Sequence, residues 1–176
     1  MNPRKNLRAI YLSAIISALP FSAIAGEQYI DKTGFAISGY DTVAYFDLNQ
    51  NNVGTAQPTG IPGKSDITAE YNGVNWAFST TGNRDRFLAD PTKYAPLYDG
   101  HCAYGMSLGG KVPANPNLWR IVDNQLYLNI TKTVVGLWEK DVPGNIVKAE
   151  ANWPTRESKP ASTNKIPEFS STAPEQ

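Results

Sequence analysis

The sequence predicts a small single α+β domain of antiparallel hairpins packed with short helices. Three observations carry that expectation. Two pairs of strand-like segments each enclose a two-residue turn, helix-capping residues follow each pair, and the β–α–β alternation of a parallel sheet is missing.

In the first pair, Ile67 to Tyr71 and Val74 to Phe78 flank Asn72-Gly73, a dipeptide suited to a tight hairpin because both central positions need positive φ. In the second, Leu118 to Val122 and Gln125 to Leu128 flank Asp123-Asn124. Ser79, Thr80 and Thr81 offer caps for a short helix through Ala89, which must end before Pro91 because the residue preceding proline is kept out of the helical region. Thr131 can cap a helix whose Val134, Leu137 and Trp138 share one face and which stops near Asp141. Asp141 with Pro143 then opens another, in which Ile146, Ala149 and Trp153 recur at helical spacing. Trp76, Trp119, Trp138 and Trp153 are expected to join one core around the sheet. The polar, glycine-rich stretch from Asn49 to Lys64 reads as a surface loop, and no internal repeat is evident.

The two ends have a different character. Arg4, Lys5 and Arg8 precede an apolar stretch from Ala9 to Leu19, and Ala23-Ile24-Ala25 then leads into Gly26. That is the order of a cleavable signal peptide over residues 1–25, and the stretch is shorter than the roughly 20 apolar residues that span a bilayer. The expected location is periplasmic or secreted, with no integral membrane segment after cleavage. Removing the leader takes three of the 16 basic residues and none of the 16 acidic ones, which leaves 13 against 16 and a formal charge of −3. The remaining basic residues are scattered, so a nucleic-acid footprint is excluded and a small ligand, a metal ion or a protein is the expected partner. The folded domain is expected over residues 26–154. From Thr155 to Gln176 only Ile166 and Phe169 are bulky and apolar, the composition of a disordered tail.

The most chemical segment is Asp99-Gly100-His101-Cys102-Ala103-Tyr104-Gly105-Met106, which holds the only histidine and the only cysteine of the chain. On a helix, Cys102 and Met106 at i and i+4 share a face. Thiolate and thioether form a soft pair that favours copper as Cu(I), with His101 able to join from an irregular first turn. Both sulfurs are equally at home in a core. A third possibility is thiol chemistry, since a helix start lowers a cysteine pKa and His101 could serve as base. One histidine and one cysteine cannot build a tetrahedral zinc site. Gly105 to Lys111 has the spacing of a phosphate-binding loop, but Val112 stands where the Mg²⁺-holding hydroxyl belongs and Pro113 blocks the following helix. Asn129-Ile130-Thr131 fits the glycosylation sequon, a common chance match.

The segments Gly39-Tyr40-Asp41-Thr42-Val43-Ala44-Tyr45-Phe46, Asn83-Arg84-Asp85-Arg86-Phe87-Leu88-Ala89-Asp90-Pro91 and Lys93-Tyr94-Ala95-Pro96 resemble the exported bacterial YHS domain proteins. So do Cys102-Ala103-Tyr104, Trp138-Glu139-Lys140-Asp141, Pro143-Gly144-Asn145-Ile146 and Asn152-Trp153-Pro154. The resemblance runs from Phe35 to Pro154 and implies a YHS-like fold. Metal-binding members of the family carry cysteines in segments that correspond here to Thr42-Val43-Ala44-Tyr45, Phe78-Ser79-Thr80 and Gly82-Asn83, none of which holds one. Three functional expectations follow. The chain is a non-enzymatic protein that binds a soft metal ion, copper first, through Cys102, Met106 and His101; or an interaction or structural module with a buried Cys102; or a thiol-dependent enzyme or redox sensor.

Overall fold

The structure is a computed structural model that describes residues 26–173 and Glu175. The expected leader at 1–25 lies outside the described residues. Two antiparallel hairpins form the sheets: β1 (Lys64–Tyr71) with β2 (Val74–Phe78), and β3 (Asn115–Val122) with β4 (Gln125–Asn129). Helices α1 (Thr81–Ala89) and α2 (Pro91–Tyr94) follow the first hairpin. The short α3 (Ala103–Ser107) precedes the second, and α4 (Lys132–Trp138) and α5 (Val142–Arg156) follow it. The α+β expectation therefore holds. No helix among the described residues is long and apolar enough to cross a membrane.

Local chemistry sets these boundaries. Asn72, Asp123 and Asn124 all take positive φ at the two hairpin turns, a region asparagine and aspartate tolerate better than branched residues. Thr80 and Thr131 cap α1 and α4 by accepting from the amides of Asn83 and Val134. Asp90 and Asp141 do the same for α2 and α5. Each cap satisfies an amide that has no partner inside its helix. The strands begin earlier than expected, at Lys64 and Asn115, because each first strand bulges and rejoins its partner.

The absence of a repeat was a misreading, and the structure corrects it. The second hairpin begins 51 positions after the first, at Asn115 against Lys64, and the other strand ends keep that offset. Lys64 pairs with Phe78 and Thr68 with Ala77; Asn115 pairs with Asn129 and Trp119 with Leu128, so the bulge recurs in register. Thr80 and Thr131, the buried Phe87 and Trp138, and the caps Asp90 and Asp141 hold the same offset. Even the approach to each hairpin recurs. Tyr40 bridges to Pro62 as His101 bridges to Pro113. The Asp41 amide donates to the Ile61 carbonyl at 2.8 Å, and the Cys102 amide to that of Val112 at 2.9 Å. A left-handed run precedes each, through Ile37, Ser38 and Gly39 and through Tyr98, Asp99 and Gly100. Between Lys64–Tyr94 and Asn115–Asn145 the threonine and aspartate caps are the only identities at that offset, so the repeat lies below what sequence comparison detects.

The tryptophans do not share one core. Trp76 and Trp119 lie in the larger cluster with Phe78, Phe87 and Tyr45. Trp138 and Trp153 lie in a second cluster with Tyr98, Met106, Tyr127 and Ala149, because α5 packs on α3 rather than on a sheet. Trp138 is fully buried while Leu137, expected on its face, stays exposed. The Asn49 to Lys64 stretch is mostly exposed, as a surface loop should be, although Gly60 and Gly63 are buried. The Arg120 guanidinium anchors it by donating to the carbonyls of Asn51 and Asn52 while pairing with the Glu139 carboxylate.

The disordered tail is a second correction. Helix α5 runs through Pro154 to Arg156, and the chain beyond it lies along the domain. Tyr29 Oη donates to the Asn164 carbonyl at 3.1 Å, and Ser171 Oγ to the Ser38 carbonyl at 2.7 Å. Ile166 is buried and the Phe169 ring sits 6.1 Å from that of Tyr40. A polar composition cannot build a core of its own, but these few apolar side chains find slots already formed by the domain.

Candidate functional site

The left-handed run at Tyr98-Asp99-Gly100 turns the chain inward, so His101 and Cys102 enter the interior as an extended pair before α3 begins. Cys102 is the N-cap of α3 rather than a residue on its face. Its sulfur accepts from the Gly105 amide at 3.3 Å, and its S–H donates to Asn129 Oδ1 at 3.4 Å. Asn129 Oδ1 also accepts from the Tyr104 amide at 3.1 Å. Burial pushes the Cys102 thiol pKa up, while the Gly105 amide pulls the other way. A thiol held in its protonated form is a poor nucleophile.

The three expected metal ligands do not converge. Cys102 packs into the larger core cluster and Met106 into the second, both with no exposure. The His101 ring is closed at both nitrogens: Nδ1 lies 2.9 Å from the Tyr98 carbonyl, and Nε2 accepts from the Ser162 amide at 3.1 Å. That pattern fixes the neutral ring with its proton on Nδ1. Burial, with Lys111 nearby, pushes its pKa down to about 4. Among the described residues no group of three or more His, Cys, Asp or Glu side chains could hold a metal ion. The copper-binding expectation is therefore overturned. The i, i+4 spacing misled because capping turns the first of the two residues off the helix face.

The first unit explains Cys102. At the equivalent place Asp41, also without exposure, closes an Asx-type turn: Oδ1 accepts from the amides of Val43 and Ala44 at 3.0 and 3.2 Å. Its Oδ2 accepts from the Ser79 amide, the Ser79 hydroxyl and Asn83 Nδ2 at 2.8, 2.6 and 2.7 Å. Both are buried side chains that accept from the amide three residues on and tie the entry turn of a unit to the end of its second strand or the helix after it. Sequence reasoning missed Asp41 and Asn129. Asn129, the first residue of the chance sequon, is buried, which keeps its Nδ2 from a glycosylating enzyme in the folded protein.

Clefts among the described residues include two of note. One of about 980 Å³ lies between Glu27–Lys32, Asn72–Val74 and tail residues 161–171. The other, about 680 Å³, lies between the loop at Gly54–Thr59, β3 and α4. Polar atoms around the second are already engaged: Asn117 Oδ1 holds the Gly60 amide, and Arg120 holds Glu139 and the loop. Neither cleft is lined by Cys102, His101 or Met106. Comparison with family models, curated proteins and solved structures finds no match to the chain.

Proposed function

We propose that the protein is a non-catalytic module of the exported YHS type that works by binding a partner protein, with Cys102 as a structural cap. The observation that carries this reading is the equivalence of Cys102 and Asp41. A side chain that occupies a capping place used in both units is accounted for by the fold, and no chemistry need be assigned to it. The buried, protonated thiol and the doubly bonded His101 supply neither a nucleophile nor a free base. Binding is the role left to the surface, and the cleft of about 980 Å³ beside residues 161–171 is an opening available to a partner.

Crosslinking in the cells that make the protein tests the reading. Wild type and Cys102→Ser should yield the same crosslinked species. An adduct that is lost in Cys102→Ser, or released by a reductant, contradicts it and restores thiol chemistry.

A further inference from the structure

Gly26 is buried where the N-terminal segment meets Asp99 and the end of α5. A Cβ placed on it would stand 2.0 Å from Asp99 Oδ2 and 2.7 Å from the Glu157 carbonyl oxygen. The Cα of Gly26 therefore lies against that carboxylate on the side where a Cβ would stand, and its amide makes no hydrogen bond to Oδ2. Asp99 Oδ2 is buried and accepts no hydrogen bond. The nearest cation, Lys111 Nζ, stands 3.9 Å off and directs its hydrogens to the carbonyls of Glu157 and Lys159 at 3.3 and 2.9 Å.

The backbone leaves Asp99 little freedom to escape, because Tyr98, Asp99 and Gly100 all hold positive φ and the Asp99 carbonyl accepts from the Tyr29 amide at 3.1 Å. Charge is also out of balance. Asp99, Glu27 and Glu157 act on a single Lys111, and His101 beside them is neutral. A buried carboxylate oxygen without a donor is costly, so the site lacks one cationic donor at the place where Gly26 stands. Ala23-Ile24-Ala25 ahead of Gly26 is the small-residue order of a cleavage site.

We propose that cleavage between Ala25 and Gly26 seats the new α-ammonium of Gly26 on Asp99 Oδ2 and the Glu157 carbonyl, tying the N-terminal segment and the tail to the domain. The cleavage is a hydrolysis: water adds across the Ala25–Gly26 peptide bond, the acyl half leaves as the Ala25 carboxylate, and the amine takes up the proton. Glycine is needed at this position because any Cβ collides with Asp99. The ion pair exists only in the processed chain, so processing completes the fold instead of merely trimming it. The pair needs both charges, so its contribution is lost as pH rises through the paired amine's value, above the about 7.7–8.0 of a free α-amine, and is lost again in acid as Asp99 takes up a proton.

The test uses the full chain from Gly26 to Gln176, with the α-amine free or acetylated, each in the Asp99 and the Asp99→Asn background. Acetylation should lower the urea midpoint when Asp99 is present and leave it nearly unchanged in Asp99→Asn. Equal shifts in the two backgrounds overturn the proposal. If Asp99→Asn does not fold, the reactivity of the free α-amine with acetic anhydride decides. Each unit by which pairing raises the amine pKa slows labelling at neutral pH about tenfold. Labelling as fast as in the urea-unfolded chain refutes the pair.

Discussion

If Cys102 is a cap, its replacements should rank in an order opposite to that of an ordinary core cysteine. Alanine removes the acceptor for the Gly105 amide and the donor to Asn129 Oδ1. Loss of an N-cap costs about 1 kcal/mol. Loss of the buried sulfur adds about 1 kcal/mol of transfer and cavity energy. Asn129 Oδ1 keeps the Tyr104 amide and is not orphaned, so the total for Cys102→Ala is about 2 kcal/mol. Serine keeps a donor and an acceptor at the same place and loses only size and reach, about 1 kcal/mol. With a urea dependence of about 2 kcal/mol per molar, the midpoints of the alanine and serine variants should fall by about 1 M and 0.5 M. Equilibrium urea unfolding of the three proteins measures this directly. In a purely apolar pocket alanine is the milder change and serine the harsher. A serine variant less stable than the alanine variant would refute the capping argument.

Further expectations concern the histidine, the tail and two glycines. His101 titrates near 4 in the fold against about 6.5 in the unfolded chain, so the folded state binds fewer protons between those values. Stability should fall by about 3 kcal/mol as pH drops across that window. Asp99, raised to about 6 by burial, acts in the opposite sense when the amine of Gly26 is blocked. Acid unfolding of a blocked chain should therefore be steeper in Asp99→Asn; a pH-independent midpoint from 7 to 4 in both would contradict the assignment. Deleting the residues after Lys159 removes Ile166 and Phe169 from their slots and should lower the melting temperature by about 5 °C or more, whereas an unchanged value would show that the docked tail adds no stability. Gly63→Ala should destabilise by about 1–3 kcal/mol, because its Cβ would lie 2.5 Å from the Ala77 backbone. Gly136→Ala, with open space around it on α4, should stabilise by about 1 kcal/mol; equal effects of the two changes on chemical denaturation would contradict this packing.

What was legible in the sequence is what short-range chemistry decides. Asn72-Gly73 and Asp123-Asn124 announce their turns because few residues accept positive φ, and Thr80, Thr131 and Asp141 announce helix starts because a cap sits a fixed distance from the amide it serves. The rest depends on contacts far apart in the chain. Cys102 and Asn129 meet across 27 positions, Ser171 and Ser38 across 133. The tail could not be placed from composition because its stabilising slots belong to other segments. The repeat escaped notice because the two units share a backbone and its caps while filling the same places with different side chains, aspartate in one and cysteine in the other.

That last substitution is the centre of the account, and the rate at which Cys102 reacts with a disulfide reagent tests it most directly. A thiol that serves as a buried cap reacts only when the domain opens, so its labelling rate should be orders of magnitude below that of the unfolded chain and should rise with urea in step with global unfolding. Labelling in native buffer at the rate of an exposed thiol, independent of urea below the transition, would contradict it.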